Sequence, residues 1–371
     1  LEKDLWVVEV LRLLFEEQML GEVTVAFKGG TALSKGWNAI HRFSEDIDLS
    51  IHWADLLLEE QDDKNTQSFS ETEAWDKSTQ SNSQIKKFRD AQSKRLEQWS
   101  ADFLIRLNDK LTKYNINGLS AELEENTKGE NIHIQFPRVT DGDGQYQLDY
   151  ILLEFGARNR GRPTVKKQIQ SYLAELQEFS DIELPECEVD ILSPAYTLWE
   201  KLTALHQFSS QEKTPNFKRL ARHWYDVGCL INDSDEIFQD SIYSYQAALD
   251  VVVMKKNRWA EKGVDYESAL TGGLKLIPSS ERLKEITKDH DEAVAGGMFY
   301  TAPSDFSEIT TRLTELQGEI NRYMTSYQYI IENYRIVSSG AWMQAVVEID
   351  GKVFRSEFFL IEKVERAIEN L

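Results

Sequence analysis

The chain is 371 residues long, 41% hydrophobic and 11% aromatic. That is too apolar for a disordered chain and long enough for two domains. A formal net charge of -21 argues against wholesale adhesion to nucleic acid or to an anionic membrane. The two cysteines, Cys187 and Cys229, have no paired-ligand spacing, which excludes a zinc or disulfide framework. No apolar run approaches the roughly 18 residues of a membrane span, and none reads as a signal peptide. A soluble, cytoplasmic protein without membrane contact is expected.

In chain order, Leu5 to Leu20 has helical apolar spacing and stops at Gly21. Val23 to Phe27 (VTVAF) reads as a strand, Gly29 and Gly30 as a turn, Ala32 to Ile40 as a short helix, and Asp46 to Ile51 as a second strand. That succession is an α/β opening. A polar stretch from Glu59 to Gln84 reads as an exposed loop or a lid. Ile85 to Tyr114 is a long charged amphipathic helix. NIHIQF and QYQLDYILLEF then flank Asp141 to Gly144 (DGDG), which reads as a hairpin turn, since the other ligands of a calcium loop are absent. A boundary is expected near Pro185 to Pro194, separating a core domain (1–190) from a mainly helical one (191–371). Helices are expected over Ala195–Phe208, Lys218–Ile231 and Phe306–Glu332. The last 30 residues are ambiguous between strand and helix.

The informative stretch is FKGGTALSKGWNAIHRFSEDIDLSI, Phe27 to Ile51. On a strand, residues i and i+2 share a face, so Asp46 and Asp48 point the same way. Two adjacent carboxylates repel unless a cation holds them, and Mg²⁺ suits a site of few carboxylates completed by substrate phosphates. The Gly29-Gly30-Thr31 turn lets backbone N–H groups approach a triphosphate at the start of a helix. Turn, helix and acid-bearing strand together describe a metal–nucleotide site.

This order of parts resembles the nucleotidyltransferase superfamily. KGGTALSKGW followed by RFSEDIDLS is similar, more narrowly, to the AbiEii/AbiGii-type (MenT-like) toxin nucleotidyltransferases, whose first helix EKDLWVVEVLRLLF also resembles. The resemblance runs from about residue 1 to 230. It implies an α/β core with a mixed sheet, closed by a mostly helical C-terminal domain. It implies a divalent metal (Mg²⁺ or Mn²⁺) on Asp46, Asp48 and a third acid from a later strand. Glu154 in YILLEFGAR is the choice for that acid, with Asp149 second because it lies on the opposite face. The nucleoside triphosphate would lie against Gly29, Gly30, Thr31, Ser44 and Lys201 (in LWEKLTALH). Asp226 (in RHWYDVGCL) would act in catalysis or hold that lysine. His206 and His223 read as helix-face residues rather than ligands.

Two basic clusters stand out in an acidic chain. GARNRGRPTVKKQ carries Arg158, Arg160, Arg162, Lys166 and Lys167, and KTPNFKRLARH spans Lys213 to His223. Both could guide a phosphate-rich acceptor or simply pair with surplus acids. The resemblance implies tRNA as acceptor and a cognate antitoxin as partner. Transfer to a protein hydroxyl, or a non-catalytic nucleotide-binding module, are the rival readings.

Overall fold

The computed structural model describes residues 1–44, 46–56, 81–139, 149–231, 236–333, 335–339, 342–349, 352–355 and 359–360. Most of the polar stretch expected as a loop or lid, and the DGDG turn, lie outside the described residues.

The core is a seven-stranded mixed sheet in the order β3-β4-β5-β2-β1-β7-β6. Its strands are β1 (Val25–Lys28), β2 (Ile47–Ile51), β3 (Ser120–Leu123), β4 (Asn131–Gln135), β5 (Tyr150–Gly156), β6 (Thr164–Gln170) and β7 (Glu186–Leu192). Pairs β1–β7 and β2–β5 are parallel, and the others are antiparallel. The mixed α/β core is as expected.

Alternation makes one face of this sheet apolar. Phe27 lies beside Leu49 and Ile191, and Ile47 beside Leu153, all buried. Helix α1 (Glu2–Phe15) packs on this sheet at β7 and β5, burying Val7, Val8, Leu11 and Leu14. Helix α2 (Asn82–Thr112) opens with a capping box from Ser81 and Gln84 and buries a stripe at Leu96, Phe103, Leu107 and Leu111. Phe103 meets Phe155 edge-on, at 5.4 Å between ring centroids.

Two expected helices end early. Helix α1 stops at Phe15 rather than Leu20, because Gln18 takes a positive φ of 52° and turns the chain toward β1. The helical turns after the glycine pair stop at Gly36 rather than Ile40, ahead of Asn38 with φ 50°.

Beyond β7 the chain is mainly helical: α3 (Pro194–Ser210), α4 (Arg222–Leu230), α5 (Glu236–Ser241), α6 (Tyr245–Trp259), α7 (Ser280–Ala295) and α8 (Phe306–Asn333). The passage from sheet to helices falls at Ser193, yet a single buried cluster runs on from Val7 to Met324. The ambiguous C-terminal stretch is extended, with β8 (Arg335–Ser339), β9 (Trp342–Ile349), β10 (Lys352–Arg355) and β11 (Phe359–Leu360) in a second antiparallel sheet. No helix among the described residues is long and apolar enough to cross a membrane.

Candidate active site

The face of the sheet opposite Phe27 and Leu49 is polar, and strand register explains why its charges meet. Lys28 on β1 lies beside Asp48 on β2, Asp48 beside Glu154 on β5, and Glu154 beside Asn131 on β4. Residues in register share a face, so Lys28, Asp48, Glu154 and Asn131 form a row across four strands. The structure therefore brings Glu154 to Asp48. Asp149 stands before β5 begins, exposed and paired with Arg138.

The glycine pair abuts this row. Gly29 has φ +77°, and a Cβ there would fall 1.7 Å from Asp48 Oδ2. A Cβ at Gly30 would fall 2.4 Å from Ser44 Oγ and 2.7 Å from Arg42 Nη2. Glycine is required at both places by close approach of side chains carrying the chemistry. Thr31 plays another part. Its buried hydroxyl donates to the Asp46 carbonyl (2.6 Å) and bonds Ser44 Oγ (3.1 Å), tying the turn to the segment that presents Asp46.

A second constellation arrives from the helices. Asp226 on α4 is fully buried and accepts from Arg42 Nε (2.6 Å), Arg42 Nη2 (2.8 Å) and Lys201 Nζ on α3 (2.7 Å). Burial alone would raise its carboxyl. The Arg42 and Lys201 charges outweigh that and hold it well below the usual carboxylate range. Both oxygens of Asp226 are thus occupied by cations, which matches holding the lysine rather than acting as a base. Lys28 reaches Glu200, next to Lys201, at 3.3 Å. Because Lys28 belongs to the row, this pair brings the helix that carries Lys201 to the carboxylates.

Both carboxylates of the row resist ionisation. Dehydration raises the Asp48 carboxyl, with Lys28 opposing and Asp46 adding. Dehydration followed by the charges of Asp48 and Asp46 pushes Glu154 up to about 7. His223 is pushed down to about 3 by dehydration and by Lys201 and Arg222. His206 bonds the Asp265 carbonyl and the Lys275 N–H through its two ring nitrogens. His206 is therefore a packing residue.

Among the described residues no three His, Cys, Asp or Glu side chains already form a metal-holding group. Mg²⁺ needs only one or two protein carboxylates beside substrate phosphates. The hard oxygens of Asp48, with Asp46 and Glu154 as neighbours, fit that requirement.

The first basic cluster is largely spoken for. Arg160 pairs with Asp250 (2.7 Å), Lys166 with Glu188 (2.6 Å), and Arg158 lies 3.8 Å from Glu130 and over the Trp259 ring. Lys167 stands over the Trp37 ring at 4.2 Å. Arg162 is exposed with no side-chain partner among the described residues. In the second cluster Lys213, Lys218 and Arg219 are exposed and likewise lack side-chain partners among the described residues.

Sequence reasoning gave no role to Lys28 or Arg42, and took Arg222 only as one cation of the second basic cluster. Arg42 and Arg222 both stand inside the motifs that drew attention to their neighbours. Arg222 precedes Asp226 by four residues, which puts them on one helix face.

Over residues 12–312 the chain matches the family described as nucleotidyl transferase AbiEii toxin, type IV toxin–antitoxin system. No curated protein matches it. Among solved structures it is similar to MenT4, a nucleotidyltransferase toxin from Mycobacterium tuberculosis H37Rv. Identity is 14% over 87% of this chain and 91% of that chain, with a TM-score of 0.40, too remote to place residues. The family match spans most of the chain and takes in every residue of the cleft described above. The chain therefore belongs to the AbiEii nucleotidyl transferase toxin family of type IV toxin–antitoxin systems and is a nucleotidyltransferase.

Proposed function

We propose that this chain transfers a nucleotide from a nucleoside triphosphate to tRNA in a Mg²⁺-dependent reaction. The observation that carries the reading is the register of Asp48 with Glu154, set directly against Gly29, whose missing Cβ leaves room for the Asp48 carboxylate. Asp46, Asp48 and Glu154 would hold Mg²⁺ or Mn²⁺, which when bound neutralises phosphate charge. The N–H groups of Gly29 and Gly30, the Ser44 hydroxyl and Lys201 would seat the triphosphate. Thr31 fixes the segment from Ser44 to Asp46, and Asp226 positions Lys201. The acceptor hydroxyl oxygen bonds to the α-phosphorus as the bond to the bridging oxygen breaks. Pyrophosphate leaves with the electron pair, and the hydroxyl proton passes to Glu154. Positioning and charge neutralisation supply the acceleration.

Arg162, Lys213, Lys218 and Arg219, exposed and unpaired among the described residues, support an RNA acceptor. The exposed Lys166–Glu188 pair is weak enough to be exchanged for phosphate contacts. The contacts of the first cluster nonetheless favour a second reading, in which the acceptor is a protein hydroxyl, Arg158, Arg160 and Lys166 only balance acids, and Lys167 only covers Trp37. A toxin–antitoxin family also implies a cognate antitoxin.

The test is incubation with each labelled triphosphate, Mg²⁺, and total tRNA or a protein pool. Label in tRNA, lost on Asp48→Asn or with EDTA, is the expected result. Label in protein alone would move the acceptor to the second reading. Nucleotide binding without transfer to either pool would overturn both.

A further inference from the structure

Arg222 is the first residue of α4 and lies one turn before Asp226 on the same helix face. It is half-buried, and no described residue hydrogen-bonds or ion-pairs with its side chain. Around it stand more cations than anions of the helical constellation: Arg42 and Lys201 are both committed to the single carboxylate of Asp226. Arg42 and Arg219 repel Arg222, while Asp226 and Asp48 attract it. Its charge is also felt at Glu154, on the carboxylate row.

Holding a partly dehydrated guanidinium without a partner is costly, and an anion from outside the chain removes the cost. Lys201 gives one of its three donors to Asp226 and keeps the others. Arg222, one turn from Asp226, and Lys201, bonded to Asp226, thus both bring unused donors to the neighbourhood of that carboxylate.

We propose that Arg222 is a second phosphate-binding residue, which with Lys201 grips the β- and γ-phosphates of the nucleotide and the pyrophosphate that leaves. The inference rests on the nucleotidyl-transfer reading and adds to it which wall of the cleft receives the leaving group. Arg42, by contrast, is consumed by Asp226 and serves as scaffold. A guanidinium suits this place because its fork bonds two phosphate oxygens at once.

Tripolyphosphate, which carries no base or acceptor, is the probe. With Mg²⁺ it should raise the melting temperature of the wild-type protein, since a ligand of the native state stabilises it by mass action. Arg222→Gln should lose most of that shift while melting no lower than wild type without ligand, because an unpartnered cation has been removed. KM for the triphosphate should rise roughly 10- to 100-fold, the effect of losing a charge-assisted hydrogen bond, with KM for the acceptor unchanged. Arg222→Lys should recover part of the affinity. An undiminished tripolyphosphate shift in Arg222→Gln would overturn the proposal, as would a rise confined to the acceptor KM. A variant that melts well below wild type without ligand would show Arg222 to be structural instead. The thermal-shift arm needs no turnover, so absent transfer in the wild type would defeat the wider reading while leaving this result separate.

Discussion

Replacing Asp226 by alanine is the most demanding perturbation of the cleft. Its carboxylate accepts three hydrogen bonds from two cations, at 2.6, 2.8 and 2.7 Å. The Arg42 side chain is only 4% exposed, so the variant leaves a buried guanidinium with one remaining bond, to the Phe43 carbonyl. Breaking a buried pair by removing one partner costs about 3–5 kcal/mol, a large share of the roughly 5–15 kcal/mol that stabilises a typical fold. Denaturant unfolding of the wild type and Asp226→Ala measures the difference. Adding Arg42→Met to Asp226→Ala should recover part of the loss, because the stranded charge goes with it. The pH dependence has a definite sign. The folded-state pKa of Asp226 lies below its unfolded value, so its stabilisation is full above about pH 4, the unfolded value, and is lost as pH falls toward the folded one. Asp226→Asn should lack this acid-side loss. A cost of Asp226→Ala under about 1 kcal/mol, the ordinary effect of a point substitution, would refute the account of a buried, doubly paired carboxylate. So would a double variant no more stable than the single one.

Three further outcomes follow from the sheet side of the cleft and its rim. Gly29→Ala forces a side chain into a left-handed conformation and against Asp48 Oδ2; transfer should be abolished and stability should fall by about 1–3 kcal/mol, measured by labelled-nucleotide assay and thermal melting. Glu154 is raised to about 7 by dehydration and its acidic neighbours. In metal-free protein the Glu154 contribution to stability should therefore be full below the unfolded carboxylate value and be lost as pH rises through about 7. Glu154→Gln should flatten that melting-temperature profile while losing transfer. Arg160→Ala with Arg162→Ala should weaken RNA binding and reduce its salt slope by roughly one unit per lost contact. Unchanged RNA transfer at every salt concentration would favour the protein acceptor.

Local spacing was enough to read the opening α/β succession and the Gly29-Gly30 turn, whereas Asp46, expected on the strand with Asp48, stands just before β2 begins at Ile47. Alternation along YILLEFG placed Glu154 rather than Asp149 on the cleft face, since side-chain direction on a strand depends only on parity. The helices carrying Lys201 and Asp226 were legible from their apolar period. Register between strands was not, because the pairing of Lys28 with Asp48 and of Asp48 with Glu154 depends on which strands meet. The hydroxyl of Thr31 looked free to face a nucleotide until the fold turned it onto the Asp46 carbonyl. Whether the arginines near residue 160 pair with acids depended on where α6 and β7 were laid beside them. Arg42 and Asp226 stand 184 residues apart, and no local pattern says that one will cancel the other. That cancellation leaves Arg222 without a partner, because a charge balance inside a cleft is a property of the assembled walls.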